Sequence, residues 1–553
     1  MVQSDDPQWI KAFFLGPKSE NESWLRGEMQ SILGHWFRWR QDLFPDDPAA
    51  ISNEDRMSAD FLQQREKLSQ NLAHLNEMLR DEIPKYSPRY IGHMVSEISL
   101  PAILGHMAAL VHNPNNTSKE AARVTLTIEK EAIEMLANMV GYDPDLVKGH
   151  FTSGGTVANF EAIWRARFRM DHWISLSLYL AEEKGIIFNL MHAAHMGWDK
   201  YFDLLLCYNV SEDDTRRYSL VGSNPFEAAA LISKHIHQPY KGPVVLVPGN
   251  KHFSWSKGVN IFGLGDSSFW TIPLDNKGRL DVAQLQKLLD KAEMEMRPVM
   301  MTVSVTGTTE AGEIDPVDKV QDILDHYKAE RGLSIWHHID AAYAGTATIL
   351  EENRHIINGV EKADSYVFNP HKWMFTNFDC SAYFVKDKKA LIKTFEILPE
   401  YLKTNADSEV NNYRDWGIQL GRRFRSLKLW FVIRSMGVSG IKEKISNHIK
   451  WAKELSEMVK SNDHFVLHEP QNLACVCFRL KNKRKMELDK YNRSSKELID
   501  RINKSGKLYI SHTKVNDEFT FRFVIGNTYV TKKHILEAWE FIASETENYL
   551  NDV

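Results

Sequence analysis

The chain has 553 residues, 43% hydrophobic and 25% charged, which excludes a disordered or fibrous class and leaves length for a large core and two or three domains. A net charge of -5 and a pI near 6.5 leave no electrostatic footprint for nucleic acid or an anionic membrane. Four cysteines are too few for a disulfide framework at this length, and Cys475 and Cys477 lack zinc-ligand spacing, so reduced thiols in a cytoplasmic protein are expected.

The N-terminus carries Asp5 and Asp6 where an export signal needs basic residues. No apolar run reaches the ~18 residues of a membrane-spanning helix. The longest, Leu100 to Val111, is interrupted by His106, so a soluble protein that is not exported is expected. Residues 1 to about 85 read as helices, broken at Phe44-Pro-Asp-Asp-Pro48. Met57 to Leu79 is amphipathic without a core of its own, so it should pack on something else. Next comes Ser87-Pro-Arg-Tyr-Ile-Gly-His-Met94, a connector or a binding loop, in which Tyr90 and His93 are candidate substrate contacts.

From about 100 to 430 helical stretches alternate with short β-branched runs, the pattern of a mostly parallel sheet covered on both faces. In such sheets ligands lie beyond the carboxyl ends of the strands. Phe151-Thr-Ser-Gly-Gly-Thr156 opens a helix whose apolar residues Val157, Phe160, Ile163, Trp164 and Phe168 recur at helical spacing. Gly154, Gly155 and Thr156 can seat a phosphate, because glycines admit close approach and the helix start supplies free N–H groups. The same letters also make an ordinary turn and N-cap.

Val244 to His252 reads as a buried strand followed by a turn, with His252 able to stack on a planar ring or move a proton. Ile335-Trp-His-His-Ile-Asp340 is an apolar strand ending in a carboxylate, followed by small residues including Ala342 that leave room for a flat ring. His338 and Asp340 share a strand face and His337 does not, so only two ligands would meet a metal here and no metal site is predicted.

Ser365 to Phe375 ends a strand-like run with Asn369-Pro-His-Lys372, delivering His371 and Lys372 into a turn. Asp379 to Val385 reads as another strand. Ile397 to Ser408 is a polar stretch suited to a mobile lid, with Tyr401 able to deliver a proton. Gly421-Arg-Arg-Phe-Arg-Ser426 precedes an apolar helix, Leu427 to Ile433, and its arginines could serve an interface or an anion. The remainder reads as helix (Ile441 to Val459), strands (Ala474 to Leu480, Lys507 to Ser511, Phe519 to Ile525) and a final helix from Lys532, a small α+β unit.

A desolvated lysine, a carboxylate at the end of a strand and a phosphate seat are the parts of a pyridoxal phosphate (PLP) site. There the lysine is the nucleophile and the carboxylate keeps the ring nitrogen protonated. Asn369-Pro-His-Lys-Trp373, with Asn377-Phe-Asp-Cys-Ser-Ala382 after it and Trp336 to Gly345 before it, resembles the fold-type I, group II PLP-dependent amino-acid decarboxylases. From about 334 onward, including Tyr401-Leu-Lys403 and Gly421 to Lys428, the sequence is closest to aromatic-L-amino-acid decarboxylases of animals. The front half is more similar to bacterial and archaeal tyrosine decarboxylases, through Ser87 to Met94, Asn113-Pro-Asn-Asn116, Ser153 to Asn159 and Gly307-Thr-Thr-Glu310.

The resemblance implies that Lys372 carries the cofactor covalently, Asp340 pairs with its ring nitrogen, and Ala342 and His252 lie on opposite ring faces. It further implies that Gly154, Gly155, Thr156, Asn369 and His371 surround the phosphate, and that Tyr401 reprotonates the product. Gly154-Gly155 departs from the Ser/Ala-containing turn of the animal enzymes, so backbone N–H groups would replace a hydroxyl. The resemblance also implies a homodimer with its sites at the interface. The division is then a helical segment 1–100 packed on the partner, a PLP-binding α/β unit 101–430, and a small α+β unit 431–553.

The implied reaction is decarboxylation of an aromatic L-amino acid of the tyrosine or DOPA type. One alternative is an acidic substrate, aspartate or glutamate, met by Arg89. The other is a carbon–carbon lyase acting on phosphorylated long-chain bases, whose family shares the Ser-Gly-Gly-Thr seat.

Overall fold

The computed structural model describes residues 7–386, 413–483 and 485–552. The organising element is a seven-stranded sheet: β1 (Lys148–Thr152), β2 (Val244–Pro248), β3 (Phe269–Ile272), β4 (Val299–Val305), β5 (Trp336–Asp340), β6 (Ser365–Phe368) and β7 (Ser381–Val385). Their spatial order is β1-β7-β6-β5-β4-β2-β3. The block from β6 to β3 is parallel, and β7 alone runs antiparallel to both of its neighbours. Every residue of β2, β4 and β5 is buried, as strands covered on both faces require, and these are the continuous apolar runs of the sequence. The α/β fold read from the alternating pattern is therefore the fold observed.

Gly155–Lys184 covers one face of this sheet, and the expected stripe is displaced. Ala158, Ala162 and Ala166 are fully buried, as is Ile163 of the expected stripe, whereas Val157, Phe160, Trp164 and Phe168 are half-buried. Small residues let the helix lie close to the sheet. The larger rings reach sideways instead, where Phe160 and Trp164 meet the edge of Phe262.

A second sheet, β8 (Phe465–Leu467), β9 (Cys475–Leu480), β10 (Ser511–Val515) and β11 (Glu518–Val524), is antiparallel throughout in the order β10-β11-β9-β8. The run Lys507 to Ser511 leads into β10 and shares only Ser511 with it. Tyr509 instead exchanges backbone hydrogen bonds with the 89–91 loop, donating to Arg89 O at 3.0 Å and accepting from Ile91 N at 3.0 Å. The two expected helices at 427–433 and 441–459 form one element, Ser426–Ser461, broken at Gly437 where φ is 66°.

At the N-terminus, Glu22–Leu43, Asn53–Met57 and Ala59–Met78 are helical, and not one of their residues is buried. No described helix is long and apolar enough to cross a membrane.

Candidate active site

A cavity of about 320 Å3 opens at the carboxyl ends of β4, β5 and β6, where the topology of a parallel sheet places ligands. Lys372 lies in its wall on the one-turn helix Pro370–Trp373, which starts because Pro370 pre-sets the helical φ and has no N–H to lose. Lys372 N donates to Asn369 O at 2.9 Å, and Lys372 O accepts from Ser96 N at 2.8 Å. Burial lowers the amine's pKa from its usual value, Asp340 opposes that shift, and Arg522 adds to it.

Asp340 also lines the cavity, on the face of β5 that holds His338. It accepts from Asn159 Nδ2 at 2.9 Å, Trp255 Nε1 at 3.3 Å and Ala342 N at 3.2 Å, so its orientation is fixed by three donors. His337 points to the opposite face and is consumed by Ser304 Oγ at 2.9 Å and Gln321 Oε1 at 2.8 Å. No group of three His, Cys, Asp or Glu able to hold a metal ion exists among the described residues.

His252 and Ala342 line the same space. Burial holds the His252 imidazole below its ordinary pKa, with Lys372 adding to that shift against the pull of Asp340. A further wall is the start of helix Gly155–Lys184, with Gly154, Gly155 and Thr156. Gly154 has a φ of 137°, which side-chain-bearing residues rarely adopt, and no side chain caps the helix. A Cβ at Gly155 would come within 3.0 Å of Asn369 Nδ2. The Oδ1 of Asn369 is buried and has no hydrogen-bond partner among the described residues. This is a polar cradle, with free N–H groups at the start of a long helix facing a side-chain amide. His371 completes it; its Nδ1 lies 2.7 Å from Cys380 O, and burial pulls its pKa to about 4, so the ring is neutral.

The structure thus brings Gly154, Gly155, Thr156, His252, Asp340, Ala342, Asn369, His371 and Lys372 to one cavity. Tyr90 and His93 are not brought to it. Their side chains bond to each other, and Tyr90 stacks on Tyr509 at 5.4 Å, because the loop pairs with the C-terminal unit. Between that cluster and the cavity lies Arg522, which donates to Ser511 Oγ at 3.2 Å and to Thr309 O. Arg89 faces another hollow and donates to Lys507 O at 3.0 Å. Tyr401, Tyr401-Leu-Lys403 and the 397–408 stretch lie outside the described residues. The arginines before the long helix meet internal carboxylates: Arg422 pairs with buried Glu129, and Arg425 Nε sits 2.8 Å from Asp379 Oδ1.

Asn159, Thr308 and Phe378 also line the cavity, and single-residue reasoning gave them no role. Asn159 had one signal, a polar side chain four residues past Gly155 on the small-residue face of an otherwise apolar helix.

Residues 233–481 match the pyridoxal-dependent decarboxylase conserved domain. The chain is 35% identical over 328 residues to a tyrosine/DOPA decarboxylase of Papaver somniferum, covering 56% of this chain and 61% of that one. It is 39% identical over 313 residues to a phenylacetaldehyde synthase of Arabidopsis thaliana, covering 56% and 62%. The matched stretch therefore spans about three-fifths of the length of these curated relatives. In architecture the chain is similar to the crystal structure of Oryza sativa TDC with PLP and tryptamine, with a TM-score of 0.70, 24% identity, and coverage of 97% of this chain and 99% of that one.

Proposed function

We propose that this chain, whose residues 233–481 match the pyridoxal-dependent decarboxylase conserved domain, is a member of that family and a PLP-dependent carboxy-lyase. Its substrate is an aromatic L-amino acid of the tyrosine or DOPA type, released as the amine and CO2. The observation that carries this reading is the meeting of buried Lys372, Asp340 and the uncapped glycine helix start in one cavity. The similarity to relatives named for tyrosine and DOPA supports the aromatic class.

The residues present fit PLP. The N–H groups of Gly155 and Thr156, with the Nδ2 amide hydrogens of Asn369 and the ring of His371, would hold its phosphate. Asp340 would meet its ring nitrogen, and His252 and Ala342 its two faces. Bound there, the cofactor supplies an electron sink for the carbon that loses its carboxyl group. Lys372 contributes an amine that burial biases toward the neutral, nucleophilic form, and that anchors the cofactor covalently. His252 and Ala342 confine a flat ring between them. Tyr401 returns a proton to the substrate carbon, so that an amine results.

The homodimer, its interface-borne sites and the cytoplasmic setting belong to the same proposal. The support for a partner subunit is the N-terminal helical segment up to residue 100, whose helices Glu22–Leu43 and Ala59–Met78 bury nothing of their own. The division into units 101–430 and 431–553 is part of the same proposal; the two separate sheets support it, although helix Ser426–Ser461 crosses the boundary between them.

The test is a panel of amino acids given to the purified full-length chain with PLP, scored for CO2 and amine. Tyrosine or DOPA should be turned over fastest. Faster turnover of aspartate or glutamate would overturn the aromatic reading, and cleavage of a phosphorylated long-chain base without CO2 release would overturn the reaction class. Arg89, the residue the acidic alternative calls on, lies outside the cavity. A companion variant, Tyr401→Phe, should shift the product from amine toward aldehyde; unchanged amine yield would remove Tyr401 from the proton-return role.

A further inference from the structure

Behind the cavity a single chain of side chains joins the middle of the sheet to two of the residues assigned above. Asn159 stands at its branch point. Its Nδ2 lies 2.9 Å from Asp340 Oδ2 and 3.0 Å from Ser254 Oγ, and its Oδ1 lies 3.2 Å from His338 Nε2. His338 Nδ1 lies 2.8 Å from Ser365 Oγ, which accepts from Trp336 Nε1 at 2.8 Å. All five residues behind the cavity are buried.

The direction of every bond follows from the two ends. A carboxylate only accepts and an indole N–H only donates. Asp340 therefore requires the NH2 side of the Asn159 amide, which turns Oδ1 toward His338. Burial holds His338 near a pKa of 4, so the ring is neutral and carries one N–H. That proton sits on Nε2, and Nδ1 accepts from the Ser365 hydroxyl, whose oxygen takes the Trp336 N–H.

The second amide hydrogen of Asn159 goes to Ser254 Oγ, which frees the Ser254 O–H to donate to His252 Nδ1 at 2.8 Å. Ser254 N approaches the same Nδ1 at 3.2 Å. Two donors on Nδ1 leave the ring proton of His252 on Nε2.

We propose that Asn159 is the positioning residue of this site. One amide hydrogen aims the Asp340 carboxylate at the cofactor's ring nitrogen, and the other, through Ser254, fixes His252 as the tautomer with its proton on Nε2. This rests on the PLP reading only for the identity of the ring; the tautomer stands on this chain alone. A single amide thereby sets the charge partner at the ring's edge and the hydrogen-bonding state of the group on its face. The apolar sheet interior supplies the rigidity that such a relay needs.

The test separates positioning from folding. Full-length wild type, Asn159→Ala and Asn159→Asp are stripped of cofactor and titrated with PLP and with an analogue in which C–H replaces the ring nitrogen. Wild type should prefer PLP. Asn159→Ala should lose about tenfold of that preference, the worth of one hydrogen bond to a charged group, while its affinity for the analogue stays near wild type. Asn159→Asp keeps the shape but sets a second carboxyl beside Asp340, and should lose as much or more. Equal loss of both ligands, or an unchanged preference, would overturn the inference while leaving the cofactor reading intact; wild type binding neither ligand would overturn both.

Should either variant fail to fold, nitrogen NMR of His252 in the wild type and in Ser254→Ala decides independently. A proton on Nε2 in wild type is expected, with the Nδ1 resonance shifting in the variant as the hydroxyl's hydrogen bond is lost while the backbone donor Ser254 N remains. A proton on Nδ1 in wild type would sink the relay.

Discussion

Two helices of similar appearance in sequence behave oppositely. Ala59–Met78 carries Leu68, Leu72 and Leu75 at helical spacing, and the stripe continues to Leu79, yet all four are exposed. Gly155–Lys184 carries Asn159, Glu161, Arg165, Arg169 and Asp171 and buries every one. Ordinarily the leucines would be inside and the charges outside. The inversion teaches that the two regions are shaped by different partners. Leucines left in water fit the partner surface proposed above, whereas buried charges persist only where each meets a partner and thereby orders a site. Glu161 shows the second case: its carboxylate sits 2.8 Å from His150 Nε2 and 3.6 Å from Arg165 Nη2, and it also accepts from Ile418 N at 3.2 Å.

The hardest way to break the comparison is at the site end. Lys372→Ala should leave the fold intact, because the side chain projects into a cavity and no packing layer depends on it. CO2 release should fall on the order of 10^4-fold or more, as for loss of other covalent nucleophiles, and the protein should lose bound PLP on dialysis. Turnover within tenfold of wild type would end the case for this lysine.

At the other end, Leu68→Glu combined with Leu72→Glu tests the exposed stripe. Each leucine buried in a subunit contact is worth about 1.5–3 kcal/mol, so the pair should raise the dimer dissociation constant at least about a hundredfold. Sedimentation of the double variant should show monomer at concentrations where the wild type is dimeric, with an unchanged circular dichroism spectrum. A dimer that persists would mean that the stripe faces something other than a second copy.

The comparison also explains what was legible from sequence. The sheet and the polar residues at its strand ends could be read because parallel strands announce themselves as apolar runs, with the polar letters stacked just after them, whereas the grouping of Ala342, Asn369 and His371 with them came from the family resemblance. Asn159 escaped because its function lies in a three-way hydrogen bond to residues 95 to 181 positions away, and periodicity carries no such information. The same limit hid where the Tyr90 and His93 side chains turn. Their loop has an aromatic and imidazole content suited to a site, but its backbone pairs with Tyr509, and that tertiary bond draws the rings to the C-terminal unit. The large rings of Gly155–Lys184 were read as its core stripe because size was taken for depth, and alanines hold that place instead.

The smallest expected effect sharpens the rule about buried charge by testing one that is not fully matched. Glu97 lies on the strap that holds the lysine turn: Ser96 N donates to Lys372 O at 2.8 Å, and Ser99 N donates to Phe375 O at 2.9 Å. Its Oε2 is buried with no hydrogen-bond partner among the described residues. Burial pushes its pKa up to about 8 from an ordinary 4.5, and Lys444 only partly opposes this. The folded state therefore binds this proton more tightly than the unfolded chain does, so Glu97 costs nothing below about pH 4.5, and stability falls as the pH rises toward 8. Glu97→Gln keeps the shape without the charge. Its melting temperature should match wild type at pH 5 and exceed it by about 2–4 °C at pH 9. Melting curves that stay parallel across that range would show that the strap accommodates a bare carboxylate as easily as an amide, and that this charge, unlike Glu161, has water for a partner.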